Sequence, residues 1–173
     1  MSNTLEQTRL ERLLNRPRIV AGLYLLLAVL MTWPLAADFA GSVAGGAGDL
    51  WQNYWNFWWW KTALLDLGQH PYFSPMIFHP TGAKLIFHTH SPFNMLVALP
   101  LTATLGPAAA YNFCILLALW VSGLGMYLLV RELTSEARGA FLAGIVFAFF
   151  PQTIEQILEH LNLAAVQFMP LTL

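Results

Sequence analysis

Residues 108–130 read AAAYNFCILLALWVSGLGMYLLV, a run without one charged side chain. Apolar runs of this length are the signature of helices that cross a bilayer, whose hydrocarbon core is about 30 Å thick. Working outward, residues 19–36 form a second uncharged run, about 27 Å long if helical at about 1.5 Å per residue. Residues 139–152 give a third and shorter run, and 161–173 open a fourth. Between the first two runs lies 92–106, which has Pro100 inside it and suits a re-entrant or interfacial helix better than a full span. A basic stretch, an apolar stretch and small residues at 35–37 also fit a signal peptide. The further runs downstream favour an uncleaved first helix.

Composition agrees with a membrane environment. Of 173 residues, 57% are hydrophobic and 10% charged, against about 25% charged in ordinary soluble domains. The expected fold class is therefore all-α: multi-pass transmembrane helices with a long outer loop carrying an amphipathic, Trp-rich helix. A net charge of −1 supplies no basic patch for nucleic acid. The single cysteine, Cys114, lies inside an apolar run and reads as a small buried hydrophobe.

Lys and Arg set the orientation. Arg9, Arg12, Arg16 and Arg18 precede the first run, so the N-terminus is expected in the cytoplasm. Residues 37–91 contain only Lys61 and Lys84, which places that loop outside, and Arg131 and Arg138 bracket a short inner connection. The expected layout is a basic tail at 1–18, including Glu6, a span at 19–36, an outer loop at 37–91, a juxtamembrane or re-entrant helix at 92–106 and a span at 108–130. An inner loop at 131–138, a span at 139–152, a second outer loop at 153–162 and the start of a further span at 163–173 follow. This layout gathers Asp49, Glu155, Glu159 and every histidine on one side.

Within the first outer loop, the glycine-rich stretch 41–48 ends at Asp49, a residue suited to open a helix because a carboxylate satisfies free N-terminal amides. Residues 49–67 are expected to be helical. Asp49, Gln52, Asn53 and Asn56 fall at i, i+3, i+4 and i+7, one polar stripe on a 3.6-residue period. Most of the remainder is aromatic, with Trp51, Trp55, Trp58, Trp59 and Trp60 within ten residues. One reading is an amphipathic helix lying in the membrane interface, where Trp and Tyr settle. A sharper one makes the stripe the wall of a cleft, with Trp55 and its neighbours receiving a lipid tail or a sugar ring and Asp49 as its one charge.

Further along, the spacing His88-x-His90 serves a metal when it lies on a strand, and Asp49 is a candidate to complete such a site. No C-x-x-C or H-E-x-x-H accompanies it, and hydrogen-bonded loop histidines are the competing reading. Lys84 offers a point charge for a phosphate, or is simply a solvated loop lysine. After Pro151, Glu155 and Glu159 share a helix face with His160 beside them. They read either as a solvated cap or as a second acidic group facing the cleft of Asp49.

The order of these pieces resembles the GT-C superfamily of membrane glycosyltransferases, which includes oligosaccharyltransferase catalytic subunits, protein O-mannosyltransferases and aminoarabinose transferases. The resemblance rests on Gly48-Asp49-Leu-Trp-Gln-Asn-Tyr-Trp after an inside-start span, and on Phe78-His-Pro-Thr-Gly82, similar to a YPxG turn. Ser91-Pro-Phe-Asn with Pro100-Leu101, Tyr127-Leu-Leu-Val-Arg131 and Phe147-Ala-Phe-Phe-Pro151 continue it. It implies that Asp49 is the first-loop acid, a metal ligand or the general base, and that Glu155 or Glu159 is the second-loop acid. It also implies a polyprenyl-phosphate sugar donor, with Gln52, Asn53, Asn56, Trp55, Lys84 and His160 as candidate substrate contacts. A divalent metal near His88 or His90 and a bacterial inner membrane complete the expectation. Relatives carry many more spans, so the chain is expected to be the N-terminal part of such an enzyme. The alternatives are a non-catalytic membrane scaffold or lipid-binding subunit and, with less in the spans to favour it, a transporter.

Overall fold

The computed structural model describes residues 9–46, 48–164 and 166–173; Glu6 and the start of the basic tail lie outside the described residues. The fold is all-α apart from one two-residue hairpin. Its spine is a helix of 28 residues, α6 (Pro107–Thr134), longer than the uncharged run that announces it. Gly106, at φ +92, turns the chain into it, and Pro107 occupies a first-turn position where no amide is needed. Ser135 closes it in the left-handed region, and Glu136 starts the next helix at once by accepting from the amides of Arg138 and Gly139. The inner connection expected at 131–138 is thus a two-residue turn between α6 and α7 (Ala137–Ala148).

Before α6 come α1 (Arg9–Leu14) and α2 (Pro17–Met31). The second is shorter than the run at 19–36, because Thr32 folds its hydroxyl back onto the Ala28 carbonyl at 2.8 Å and Pro34 has no amide to continue the ladder. The aromatic helix α3 (Asp49–Lys61) passes directly into a wider turn at Thr62–Asp66, so helical structure covers almost all of 49–67. A hairpin, β1 (Phe73–Ser74) with β2 (Ala83–Lys84), follows. The 92–106 segment is broken in two, α4 (Pro92–Val97) and α5 (Leu99–Leu105). After α7 the chain bends by 42° into α8 (Pro151–Glu159), so the segment expected as an outer loop is largely helix. Beyond α9 (Leu161–Ala164), the described residues of the segment expected to start a further span form a 3₁₀ turn at Met169–Leu171. There Pro170 is buried and Leu171 packs near Gly125 of α6.

Among the described residues α6 is the helix long and apolar enough to cross a membrane on its own, and α7 with α8 meets the same criterion as a bent pair. Two cores share α6. Toward its start, Tyr111, Ile115 and Leu119 pack with Phe57, Trp59 and Trp60 of α3 and Ile157 of α8. Toward its end, Tyr127 joins Leu14, Val20 and Tyr24. The small residues of the apolar runs mark close approach there. A Cβ on Gly144 would strike the Tyr24 hydroxyl and the Gly123 carbonyl, so α6 and α7 meet at backbone distance with the Tyr24 ring of α2 packed against both glycines.

Candidate functional site

Asp49 opens α3 behind Gly48, whose φ of +110 suits glycine. The loop in front is tied to the spine. Asn112 of α6 donates from Nδ2 to the carbonyls of Phe39 at 2.8 Å and Ser42 at 2.7 Å. From the other side comes the end of α8. His160 Nε2 lies 3.1 Å from Asp49 Oδ2. Asn53 Nδ2 donates to the Asp49 carbonyl at 3.0 Å and to the Glu159 carbonyl at 3.2 Å, fastening α8 to α3. The Glu159 carboxylate lies against the glycine stretch, with Oε2 3.8 Å from where a Cβ on Gly48 would stand. Asp49, Glu159 and His160, chosen from two segments over a hundred residues apart, therefore meet around one backbone turn. Asp49 remains half exposed and His160 a third exposed, so the group is open to a reactant.

The rest of the stripe has a different fate. Gln52 Nε2 donates to Thr89 Oγ1 at 2.7 Å, and Asn56 Nδ2 donates to the Thr89 carbonyl at 3.0 Å. Asn53 and Asn56 are buried. They bind the structure's own loops, and Thr89, which no sequence pattern singles out, is the acceptor for two of them. Asn112 is a second residue missed by the sequence reading, although a polar side chain inside an apolar run is a signal for it.

The aromatic face is also used internally. Trp59 is fully buried and donates from Nε1 to the Pro71 carbonyl at 2.8 Å. Trp60 Nε1 donates to His90 Nδ1 at 3.2 Å. Trp55 stacks on Trp59 with centroids 5.7 Å apart and planes 4° apart, which occupies one of its faces. A helix lying wholly in the interface would leave these indoles outward; here Trp51 is the one that stays clearly exposed, at 59%.

His88 and His90 stand with ring centroids 5.0 Å apart, beside Trp55 and Tyr72. Burial lowers the pKa of both, and for His90 the neighbouring His88 charge adds to it, bringing it to about 4. Both are neutral imidazoles at pH 7. Asp49 does not complete a metal site with them: its partner is His160, and Trp60, which His90 touches, lies about 16 Å further along the axis of α3. Among the described residues no cluster of three or more His, Cys, Asp or Glu side chains is placed to hold a metal ion. Glu155 is exposed one turn before Glu159, with no hydrogen bond or ion pair among the described residues. Lys84 is exposed on β2, opposite Phe73, and likewise forms no ion pair among them.

A cavity of about 470 Å³ adjoins the glycine stretch. Met31, Leu35, Val43, Ile154 and Ile157 make its apolar lining, and Asp38 is its one charge. Ile157 belongs to the same helix that ends at Glu159. The arrangement is a carboxylate–imidazole pair with a second carboxylate nearby, next to an apolar chamber, a set able to take a proton from a hydroxyl.

No protein family, no curated protein and no solved structure matches the chain.

Proposed function

We propose that the chain is the N-terminal part of an integral membrane glycosyltransferase that moves a sugar from a polyprenyl-phosphate donor to an acceptor on the outer face of a bacterial inner membrane. The observation that carries this reading is the 3.1 Å pairing of Asp49 with His160, beside Glu159. In the proposed layout the N-terminus is cytoplasmic, α6 crosses the membrane, and α7 with α8 returns toward the outer side, so that both acidic segments face outward.

In the reaction the acceptor oxygen attacks the anomeric carbon as the bond from that carbon to the donor phosphate breaks. Asp49 takes the acceptor's proton, and polyprenyl phosphate leaves with the bonding pair. His160 orients the Asp49 carboxylate, while the chamber at Met31 and Ile157 suits the first isoprene units of the donor. Asn53 and Asn56 serve the fold rather than the substrate. Of the two candidate second-loop acids, Glu159 takes precedence over Glu155 because it lies at the junction.

The test is Asp49→Asn in the full-length protein, scored by transfer from a radiolabelled polyprenyl-phosphate sugar pool in membranes. Removing a general base typically costs about 10²–10⁴-fold in rate, with membrane insertion unchanged; undiminished transfer sinks the assignment. A non-catalytic scaffold is the second reading, favoured by the inward, latching use of the polar stripe. Under that reading Asp49→Asn alters only stability.

A further inference from the structure

The inner end of the molecule carries a cluster that the proposed sugar transfer does not use. Arg9, Arg12 and Arg16 line one hollow of about 290 Å³ together with Leu13. All three arginines are exposed, and among the described residues no carboxylate pairs with any of them. The one acid of α1, Glu11, faces elsewhere, toward Arg138 of α7 at 2.9 Å.

This short helix is held in place. Leu14 is buried, Tyr127 Oη donates to the Leu14 carbonyl at 2.6 Å, and Arg131 Nη1 donates to the Asn15 carbonyl at 3.0 Å. With its inward face fastened to α6 and α7, α1 presents Arg9 and Arg12 outward, and Arg16 follows on the turn into α2. Leu10 and Leu13 stand exposed beside them at 54% and 47%.

The height of this face follows from its anchors. Tyr127 and Arg131 lie about 30 and 36 Å along α6 from Pro107 at about 1.5 Å per residue. A bilayer's hydrocarbon core is about 30 Å thick. A spanning α6 therefore puts α1 at the depth of lipid headgroups, with arginines at phosphate level and leucines able to dip toward acyl chains. Guanidinium forks match phosphate oxygens two at a time, and basic residues next to an anionic leaflet are attracted to it.

We propose that Arg9, Arg12 and Arg16 bind the phosphate of an anionic phospholipid, with Leu10 and Leu13 against its chains. This inference rests on α6 crossing the membrane and is independent of sugar transfer.

The experiment is thermal unfolding of the full-length protein in a non-ionic detergent, with added short-chain phosphatidylglycerol, phosphatidylcholine or sodium phosphate. Phosphatidylglycerol is expected to raise the Tm, by less as salt increases, while the other two leave it unchanged. The triple variant Arg9→Gln, Arg12→Gln, Arg16→Gln is expected to lose most of that rise, and Lys84→Gln to keep it. A full rise in the triple variant, or an equal rise with phosphatidylcholine, overturns the proposal. An equal rise with sodium phosphate also overturns it, since the site is then one for free anions. If the triple variant does not insert, Arg12→Gln alone is compared with the parent by native mass spectrometry. Fewer retained phosphatidylglycerol molecules support the site, and equal numbers refute it.

Discussion

Asn56 shows what a single side chain does in this molecule. It is fully buried, and its amide holds the Thr89 carbonyl across a gap of 33 positions in sequence. Replacing it with Ala leaves that carbonyl without its donor inside a core of indoles, at a cost of about 1–3 kcal/mol. Asn56→Ala should therefore lower the Tm of the purified protein clearly, whereas an unchanged Tm would mean that Thr89 finds another donor. Spacing alone revealed that Asn56 shares a face with Asp49, Gln52 and Asn53. It did not reveal what that face meets, because Thr89 lies in a turn-rich stretch with no period of its own. Asp49 and His160 were legible as candidates for their chemistry, and Pro151 marks the break between α7 and α8, but their pairing depends on the direction of that bend, which no local pattern encodes.

His90 is expected to contribute a pH dependence to stability. Its folded pKa, about 4, lies below the ordinary imidazole value of 6.5, chiefly through burial and then through His88. The unfolded chain thus takes up a proton that the folded protein refuses. The associated stability is complete above about pH 6.5 and drains away as the pH falls toward 4. A Tm measured from pH 8 to pH 4 should decline through that window. In His90→Gln, whose side-chain oxygen still accepts from Trp60, the decline should be smaller; an equally steep curve would assign the effect to other groups.

At the scale of elements, α6 and α3 were the most legible because each has a long, consistent pattern and a clear start signal. Their ends were read short or long by a few residues, as Thr134 lies beyond the last apolar position. The break between α4 and α5 follows from Pro100 next to a change of direction at Ala98. Within 163–173, where apolar residues suggested the start of a span, the described residues at Met169–Leu171 form a 3₁₀ turn, with Pro170 buried and Phe168 packed edge-on against Phe93 at 4.9 Å. Small residues carried real information. Gly144→Ala forces a methyl group onto the Gly123 carbonyl, 2.5 Å from the built Cβ, where backbone must move. Overpacking of this kind costs about 1–3 kcal/mol. The variant should melt earlier, while Gly22→Ala, which meets nothing within 4 Å, should not.

For the whole molecule, α6 organises two cores at opposite ends of one rod, and the proposed layout places those ends on opposite sides of a bilayer. Cysteine labelling examines this directly, since the native Cys114 is buried. With a membrane-impermeant maleimide, His70→Cys should react in intact cells and Ser135→Cys only in inverted vesicles. Reaction of both from the same side would remove the membrane crossing and, with it, the outward placement of Asp49.

The helix α8 has a chamber wall at Ile157 and a fastening at Glu159 and His160, two and three positions later. A rigid rod that short transmits displacement with little loss. Any guest that fits the chamber better with the fastening closed is held more tightly by the closed form, and it closes the fastening by the same factor. If the fastening opens and closes, occupancy on one side of the helix and assembly of the carboxylate–imidazole pair on the other become two sides of a single equilibrium.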